Sequence, residues 1–204
     1  MSSDRDKIYS AIRAALAPLP ERTEKPEWDD AMIVCKPSGQ FDSLKAQFAD
    51  KLISASGRFY DSVDTLTAYL KEEGSTFGYC DPALAHLLEG VESITFDTEF
   101  DEARINDYTF GLTKASAGIA ESGTIVLKDS VTSARLGALA PWIHIAVIEE
   151  TDIVASIGEA IQGFGGDPSI IFATGPSKTA DVEGILIEGV HGPGIQVALV
   201  LSHI

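Results

Sequence analysis

The strongest structural signal in the chain is the run His144-Ile145-Ala146-Val147-Ile148, which is apolar after its first residue. A strand that is buried on both faces has such a continuous apolar pattern, and strands of this kind belong to parallel sheets. Similar runs lie at Thr124–Leu127, Ser169–Ala173 and Ile195–Leu201. These four segments predict buried strands in an α/β protein.

Helical and strand patterns alternate around these runs. Leu44, Phe48 and Leu52 recur every four residues and predict a helix that begins near Phe41. Further helices are predicted at Ser62–Lys71, Pro82–Leu88 and Asp152–Phe164, and further strands at Arg58–Tyr60, Thr76–Cys80 and Ser93–Phe96. Alternation of this kind implies a parallel sheet with right-handed crossovers.

The N-terminal part has a different pattern. Ile8, Ile12 and Leu16 predict an amphipathic helix over Asp4–Leu16, and the prolines that follow predict an extended linker. We therefore expect residues 1–40 to form a helix and linker arm and residues 41–204 to form the main domain.

Charge and hydropathy exclude several classes of function. The net charge is −16, and residues 1–58 contain nine basic and nine acidic side chains, so the whole acidic excess lies in residues 59–204. Nucleic acids and anionic membranes both require clustered cations, so neither is an expected partner. No apolar run is long enough for a membrane span, and the N-terminus lacks a signal core, which predicts a cytoplasmic protein.

Cations are scarce in the second half of the chain. After Ile105 the Lys and Arg residues are Lys114, Lys128, Arg135 and Lys178. A site for an anionic ligand must depend on these four side chains, on histidines or on backbone N–H groups.

Two cysteines, Cys35 and Cys80, lie in unrelated contexts. They cannot supply the four thiolates that an iron–sulfur cluster usually requires, and no disulfide is expected in a reducing compartment. We predict no cofactor.

The first segment that could bind a ligand or take part in catalysis is Gly118-Ile119-Ala120-Glu121-Ser122-Gly123-Thr124, which leads into a predicted strand. Gly123 allows a tight turn that would hold Glu121 at the mouth of the strand. Glu121 is a candidate nucleophile, general base or acceptor for a ligand hydroxyl. Alternatively, it caps exposed N–H groups at the turn.

The second segment centres on Arg135, in a predicted helical stretch at Ser133–Leu139, followed by Pro141 and His144. A guanidinium suits bidentate capture of a carboxylate or phosphate, and a structural ion pair is the alternative. His144, inside an apolar strand, is expected to be a core histidine.

The third segment combines Thr174–Gly184 with Gly189–Gly194. A strand ends at Ala173, and Ser177 or Thr179 is predicted to cap a short helix that begins near Ala180. Such a turn offers N–H groups, hydroxyls and a lysine to an anion. His191, between small flexible residues, is a candidate acid, base or donor.

The predicted anion-binding set is therefore Arg135, Gly175, Ser177, Lys178, Thr179 and Asp181. The tentative catalytic residues are Glu121 and His191. The alternative to this site is a capped turn beside a glycine-rich loop. Metal binding is not predicted, because Asp181 and Glu183 would diverge on a helix.

These segments carry a resemblance to the LUD (lactate utilization) domain family, in particular its LutC or YkgG type, lactate utilization protein C. Gly118–Thr124 resembles the motif G-I-A-[ED]-[ST]-G-T, Thr174–Glu183 resembles T-G-P-S-[RK]-T-A-D-[IV]-E, and Gly189–Pro193 resembles G-V-H-G-P. Lys178 stands where arginine is common, which keeps the charge and loses the bidentate fork.

The resemblance implies an open α/β sheet of the NagB/RpiA/CoA-transferase type, with helices on both faces, as a LUD domain over residues 41–204. It also implies a non-redox subunit in the oxidation of L-lactate to pyruvate, with LutA- and LutB-like iron–sulfur subunits as partners and a small anion as a candidate ligand. The alternative function is a free-standing enzyme that acts on a carboxylated, phosphorylated or CoA-linked small molecule, with Glu121 as nucleophile or base.

Overall fold

The computed structural model describes residues 4–17, 40–167, 169–180 and 186–204. The chain divides into two compact units, residues 1–35 and residues 36–204. In the first unit, helix α1 spans Asp4–Leu16, as the spacing of its apolar residues predicted. Acidic residues lie in its first turn and Arg13 in its last, an order that the helix dipole favours. The predicted linker after Pro18 lies outside the described residues.

The second unit alternates helices and strands. Its described α-helices are α2 (Leu44–Ser54), α3 (Val63–Glu72), α4 (Arg135–Leu139) and α5 (Ile157–Gln162). Its described strands are β1 (Arg58–Tyr60), β2 (Phe77–Cys80), β3 (Thr95–Asp97), β4 (Phe110–Lys114), β5 (Ala117–Ile119), β6 (Thr124–Lys128), β7 (Ile143–Glu149), β8 (Ile153–Val154), β9 (Ile170–Ala173), β10 (Lys178–Ala180), β11 (Leu186–Glu188) and β12 (Ile195–Leu201). Short 3₁₀ helices cover Pro82–Leu87, Glu102–Arg104 and Glu150–Asp152.

Six of the described strands form a sheet in the order β1-β12-β7-β4-β2-β3, and every neighbouring pair is parallel. Strands β7 and β12 pair along their full length, from Ile143 with Ile195 to Glu149 with Leu201. Both strands are buried almost throughout, so their continuous apolar sequences fit a central position. The predicted parallel α/β sheet is confirmed.

Local sequence determines where the helices begin. Ser43 and Ser62 each accept a hydrogen bond from a backbone N–H of the first turn, in helices α2 and α3 respectively. Helix α2 therefore begins at Leu44, slightly later than the predicted Phe41. The segment after Asp81 was predicted as an α-helix and is a 3₁₀ helix, capped by the Asp81 carboxylate.

Helix α3 covers one face of the sheet. Its Leu66 and Leu70 belong to a buried core with Leu112 of β4, Ile145 of β7 and Val197 of β12. These strand residues lie on alternate positions, so a single face of each strand supplies this core.

The other face is covered by helices α2 and α4 and by a second sheet of described strands, in the order β8-β5-β6-β9. Phe48 and Leu52 of α2 pack with Ile125 of β6 and with Ala146 and Val200 of the parallel sheet. Helices thus flank both faces, as predicted, and a smaller sheet adds to one of them.

Two further differences from the predicted elements concern β4 and α5. Strand β4 lies in the middle of the parallel sheet but was not predicted, because Gly111 and Lys114 interrupt its apolar pattern. The helix predicted over Asp152–Phe164 begins only at Ile157, since Ile153 and Val154 pair with β5 as strand β8. Strand pairing outweighed helical periodicity there.

The parallel sheet has two distinct edges, which we name by chain direction. The amino edge, where its strands begin, contains the C-terminal end of α2, which leads into β1, and the loop 189–194, which leads into β12. The carboxyl edge, where its strands end, contains Lys114 of β4 and Glu149 of β7.

Candidate functional site

The first predicted segment forms the turn between β5 and β6. Gly123 adopts φ +67° and lies directly against the backbone of α2, where a Cβ atom would overlap the Leu52 nitrogen. The N–H of Glu121 donates to the Ala155 carbonyl over 3.1 Å. The tight turn at Gly123 is therefore confirmed, and it holds Glu121 beside the start of α5.

The carboxylate of Glu121 is engaged with that helix. Its Oε1 accepts a hydrogen bond from the N–H of Ile157, the first residue of α5, at 2.6 Å. Ser156 and Glu159 complete the cap, because the Ser156 hydroxyl accepts from the Glu159 N–H and Glu159 accepts from the Ala155 N–H. This geometry corresponds to the capping interpretation of Glu121, and its catalytic role stays a prediction.

Three hydroxyls link the first segment to the third. Thr124 Oγ1 lies 2.7 Å from Ser122 Oγ and 2.6 Å from Thr174 Oγ1. Strands β6 and β9 place these residues side by side, since Ile125 pairs with Ala173. Sequence reasoning did not single out Thr124 and Thr174, because a threonine at a strand end carries no signal for such a contact.

The third segment folds back on itself and on α2. Gly175 adopts φ +72°, and a Cβ atom there would overlap the Ala55 carbonyl just after α2. Ser177 donates its N–H to the Pro193 carbonyl over 2.9 Å and accepts from the Gly189 N–H over 2.9 Å. The two halves of the predicted segment therefore contact each other at Ser177.

The helix predicted near Ala180 is wrong. Strand β10 pairs with β11 in an antiparallel hairpin that aligns Lys178 with Glu188 and Thr179 with Ile187. The β-branched side chains of the second pair favour a strand. The turn 174–177 therefore leads into a strand and not into a helix whose N-terminus could bind an anion. Asp181 lies outside the described residues.

Lys178 is engaged with the end of α2. Its Nζ donates to the Ala55 carbonyl over 3.2 Å and to the Ser56 hydroxyl over 2.9 Å, and it lies 3.8 Å from Glu188 Oε1. A cation that bonds the last carbonyls of a helix stabilises that helix through the dipole. The described contacts of Lys178 are therefore structural.

Arg135 does not join Glu121. Its guanidinium forms a two-point contact with the carboxylate of Asp129, with Nε 3.1 Å from Oδ1. Asp129 follows β6 at the end opposite the Glu121 turn, which is about 17 Å away along an extended strand. The ion pair is the structural alternative considered for this residue.

The two histidines of the predicted segments lie in different surroundings. His191 is exposed in the loop at the amino edge. His144 is buried between Thr113, whose Oγ1 lies 2.9 Å from Nε2, and Gln196, whose Oε1 lies 3.0 Å from Nδ1. Burial lowers the pKa of His144 to about 4, so its imidazole is neutral at pH 7. His144 is the core histidine that the sequence predicted.

The structure thus brings together the turn 120–123, the turn 174–177 and the loop 189–194 near the C-terminal end of α2 and the amino edge. We call these three segments the turn cluster. Arg135 is separate from it, at the far end of β6. Lys114 and Lys128 also lie away from it, at the ends of β4 and β6.

Within the described ranges, no group of three or more His, Cys, Asp or Glu side chains could hold a metal ion. Cys80 is buried, and burial raises the pKa of its thiol to about 12, which disfavours the thiolate. Among the helices in the described part of the chain, none combines the length and apolar character of a membrane span.

Comparison with known proteins gives consistent matches. A family model described as the LUD domain matches residues 80–201. Lactate utilization protein C of Bacillus subtilis is 35% identical over 124 residues, which cover 55% of this chain and 51% of that protein. Lactate utilization protein C of Shouchella clausii is 39% identical over 100 residues, or 46% of this chain and 43% of that protein. The chain spans about half the length of these curated relatives.

A solved structure supports the fold. The crystal structure of a DUF162 family protein from Deinococcus radiodurans is similar with a TM-score of 0.56 and 23% identity, and the match covers 78% of this chain and 96% of that chain.

Proposed function

Because the chain belongs to the LUD-domain family, we propose that it takes part in the oxidation of L-lactate to pyruvate, in the cytoplasm, as a component without a redox cluster of its own. The proposal is supported by the names of its relatives, lactate utilization protein C. The structural observation that favours this role over a free-standing enzyme is the 2.6 Å bond from the Ile157 N–H to Glu121. A free-standing enzyme would need this carboxylate as nucleophile or base, and here it is engaged in capping α5.

The proposed partners are iron–sulfur subunits of the LutA and LutB kind. Lactate oxidation releases two electrons, which a chain with two cysteines is poorly equipped to accept through a cluster. Partner subunits would therefore supply the electron acceptor. This chain would contribute the assembly surface, the ligand contacts or both.

Growth on L-lactate tests the role in lactate utilization. Deletion of the gene should prevent growth on L-lactate as the sole carbon source and leave growth on glucose unchanged. The tagged chain, purified from lactate-grown cells, should bring down iron-containing partner subunits. Normal growth of the deletion strain on L-lactate would contradict the proposal.

Complementation of the deletion strain distinguishes this proposal from the competing function, an independent enzyme with Glu121 as nucleophile or base. A Glu121→Gln chain keeps an oxygen that can accept the Ile157 N–H and loses the charge that nucleophilic or base catalysis needs. We expect it to restore growth on L-lactate. Loss of growth with a normally folded Glu121→Gln chain would favour the enzyme.

We also propose that the residues predicted to bind an anion serve the same role in lactate utilization. Gly175, Ser177, Lys178 and Thr179 lie within five consecutive positions of the chain, and Asp181 and His191 belong to the same predicted segment. Arg135 would need to act separately. Substitution of Lys178 by methionine should abolish growth on L-lactate if this anion site is required.

A further inference from the structure

A cavity of about 360 Å³ lies at the amino edge of the parallel sheet. Its lining includes Ser75, Thr109, Trp142 and Gly192, which come shortly before β2, β4, β7 and β12 respectively. These four strands are neighbours in the sheet, so the segments that lead into them meet at one place. The volume is at the lower end of the range for ligand pockets, so it suits a molecule with one or two small rings.

Backbone hydrogen bonds hold the rim of the cavity in place. The Thr109 N–H and hydroxyl both donate to the Phe77 carbonyl, over 2.9 Å and 2.7 Å. The Ile143 N–H donates to the Thr109 carbonyl over 3.2 Å, and the Ile195 N–H donates to the Trp142 carbonyl over 3.0 Å. The loops that form the cavity are therefore positioned by the strands of the sheet, as binding loops commonly are.

Trp142 provides a flat apolar surface in the cavity. The residue is 54% exposed, although tryptophan is usually largely buried. Its ring lies directly against the backbone of Gly189 and Gly194, where a Cβ atom at either glycine would overlap ring carbons. The indole N–H has no hydrogen-bond partner among the residues that the structure describes. A tryptophan that rests on glycine backbone and faces a cavity is a surface on which a flat ring can stack.

Ser75 gives a second and independent indication. It is 7% exposed, and its hydroxyl has no hydrogen-bond partner in the described part of the chain. The described hydroxyls that are fully enclosed without a partner are those of Tyr69 and Ser116, so the Ser75 oxygen keeps accessible surface, at the cavity that it lines. A largely buried hydroxyl without a partner is unfavourable, and a hydrogen-bonding group of a ligand would satisfy it.

The lining is polar but uncharged. Asn106 is exposed, and its amide, which can donate and accept, has no partner among the described residues. None of the nine described residues that line the cavity is charged, and Asp107, next to Asn106, already pairs with Arg104 over 3.3 Å. An ionised ligand group would lose its hydration there without gaining an ion pair, and an anion would also meet the net charge of −16. The cavity therefore favours an uncharged ligand.

We propose that this cavity binds an uncharged, planar nitrogen heterocycle of the nucleobase type. The ring stacks on Trp142, Asn106 pairs with the donor and the acceptor on its edge, and Ser75 forms a further hydrogen bond. Asparagine makes such a two-point contact with the edge of adenine, so adenosine is the first ligand to test. This inference goes beyond the role in lactate utilization, uses none of the residues predicted to bind an anion and is tested on the purified chain.

The test is a ¹H–¹⁵N NMR titration of the full chain with adenosine, purine riboside, AMP and tetramethylammonium. Adenosine should shift the amide signals of Ser75 and Asn106 and the indole N–H signal of Trp142 in a saturable way. Because the chain has two tryptophans, the Trp142→Phe variant assigns that indole signal. Purine riboside, which lacks the amino donor of adenosine, should bind about fivefold more weakly. AMP, which adds a charged phosphate, should bind about tenfold more weakly.

Matched variants separate binding from folding. Trp142→Ala should weaken adenosine binding about tenfold or more, and Trp142→Phe, which keeps a ring for stacking, should weaken it less. Asn106→Ala should weaken binding about fivefold or more, whereas Gln162→Ala, which removes an exposed amide of α5, should leave it unchanged. Ser75→Ala should weaken binding about fivefold without lowering the denaturation midpoint, since it removes a hydroxyl that has no partner. A purely structural serine would instead lower that midpoint.

Four results would overturn the proposal. They are the absence of saturable shifts with adenosine, binding of AMP as tight as that of adenosine, unchanged adenosine affinity in the Trp142→Ala/Asn106→Ala double variant, and displacement of adenosine by tetramethylammonium. The last of these ligands tests for a cation on the tryptophan ring, which is the other ligand class that such a ring can bind. None of the four depends on growth, so the binding site and the role in lactate utilization can fail independently.

Discussion

The turn cluster and the carboxyl edge of the parallel sheet differ in how completely their polar side chains are hydrogen-bonded. In and directly beside the turn cluster, Glu121 and Lys178 each bond to backbone groups, and Thr124 joins two other hydroxyls. Beside the carboxyl edge, the hydroxyl of Ser116 is buried without a partner in the described ranges. Satisfied groups hold a fold together, whereas an unsatisfied buried group lowers its stability. The polar groups of the recognisable motifs therefore stabilise the fold, and the unsatisfied hydroxyl of Ser116 lies in a different part of the molecule.

The largest effect is expected from breaking the turn cluster at Gly123. Gly123→Ala places a Cβ atom against the backbone of α2 at a positive φ, so the turn and the helix must separate. We expect the free energy of unfolding to fall by about 4 kcal/mol, measured by urea denaturation.

Gly74→Ala is the matched control for that change. Gly74 has φ +70°, but no atom lies within 4 Å of its added Cβ. This variant should lose only about 1 kcal/mol. Equal losses at the two positions would show that the contact with α2 contributes nothing.

The next largest effect on stability is expected at His144, which is buried inside the sheet with hydrogen-bond partners at both ring nitrogens. Its pKa is about 4 in the folded chain and 6.5 as the ordinary value, so the unfolded chain binds the proton first as the pH falls. Stability should be fully present above pH 6.5 and decrease by about 3 kcal/mol by pH 4. Urea denaturation of wild type and His144→Gln across this pH range measures the difference. Parallel pH profiles would contradict the assigned burial.

A smaller effect is expected at Glu121. Glu121→Ala removes the acceptor for the Ile157 N–H and should lower the free energy of unfolding by about 1 kcal/mol, as the loss of a helix cap does. Glu121→Gln should lose about half of that, because its amide oxygen still accepts. Hydrogen exchange at Ile157 locates the change, and slow exchange in the Glu121→Ala chain would argue against the cap.

The smallest effect is expected for Lys178→Met. The side chain is partly exposed, so its bonds to Ala55 and Ser56 should contribute at most about 1 kcal/mol, decreasing with added salt. Denaturation at low and high salt measures this. A salt-independent loss would indicate that packing of the lysine stem, not its charge, holds the turn to α2.

Sequence patterns were sufficient for the parts of the fold in which local preference and tertiary position agree. Arg58–Tyr60 and Asp4–Leu16 have the predicted bounds, and β7 and β12 were identified by their apolar runs. Strand β4 was missed because its burial depends on its neighbours, not on its own composition.

Less of the candidate site than of the fold could be predicted from the sequence. The turn at Gly123 and the buried state of His144 follow from local sequence, since each depends on its adjacent residues. The contacts of Lys178 with Ala55 and of Arg135 with Asp129 depend on where other elements pack. The cavity at the amino edge was not predicted, because Ser75, Asn106 and Trp142 are far apart in the sequence and only the fold brings them together.

The pairing of β1 has a consequence for synthesis of the chain on the ribosome. Arg58 of β1 pairs with Val197 of β12, and β12 separates β1 from every other strand of the parallel sheet described here. Until β12 has left the ribosome, β1 has no neighbour to bond, and its N–H and C=O groups stay available to other chains. Nascent molecules that stop before Ile195 should therefore be the most prone to aggregation and the most dependent on chaperones.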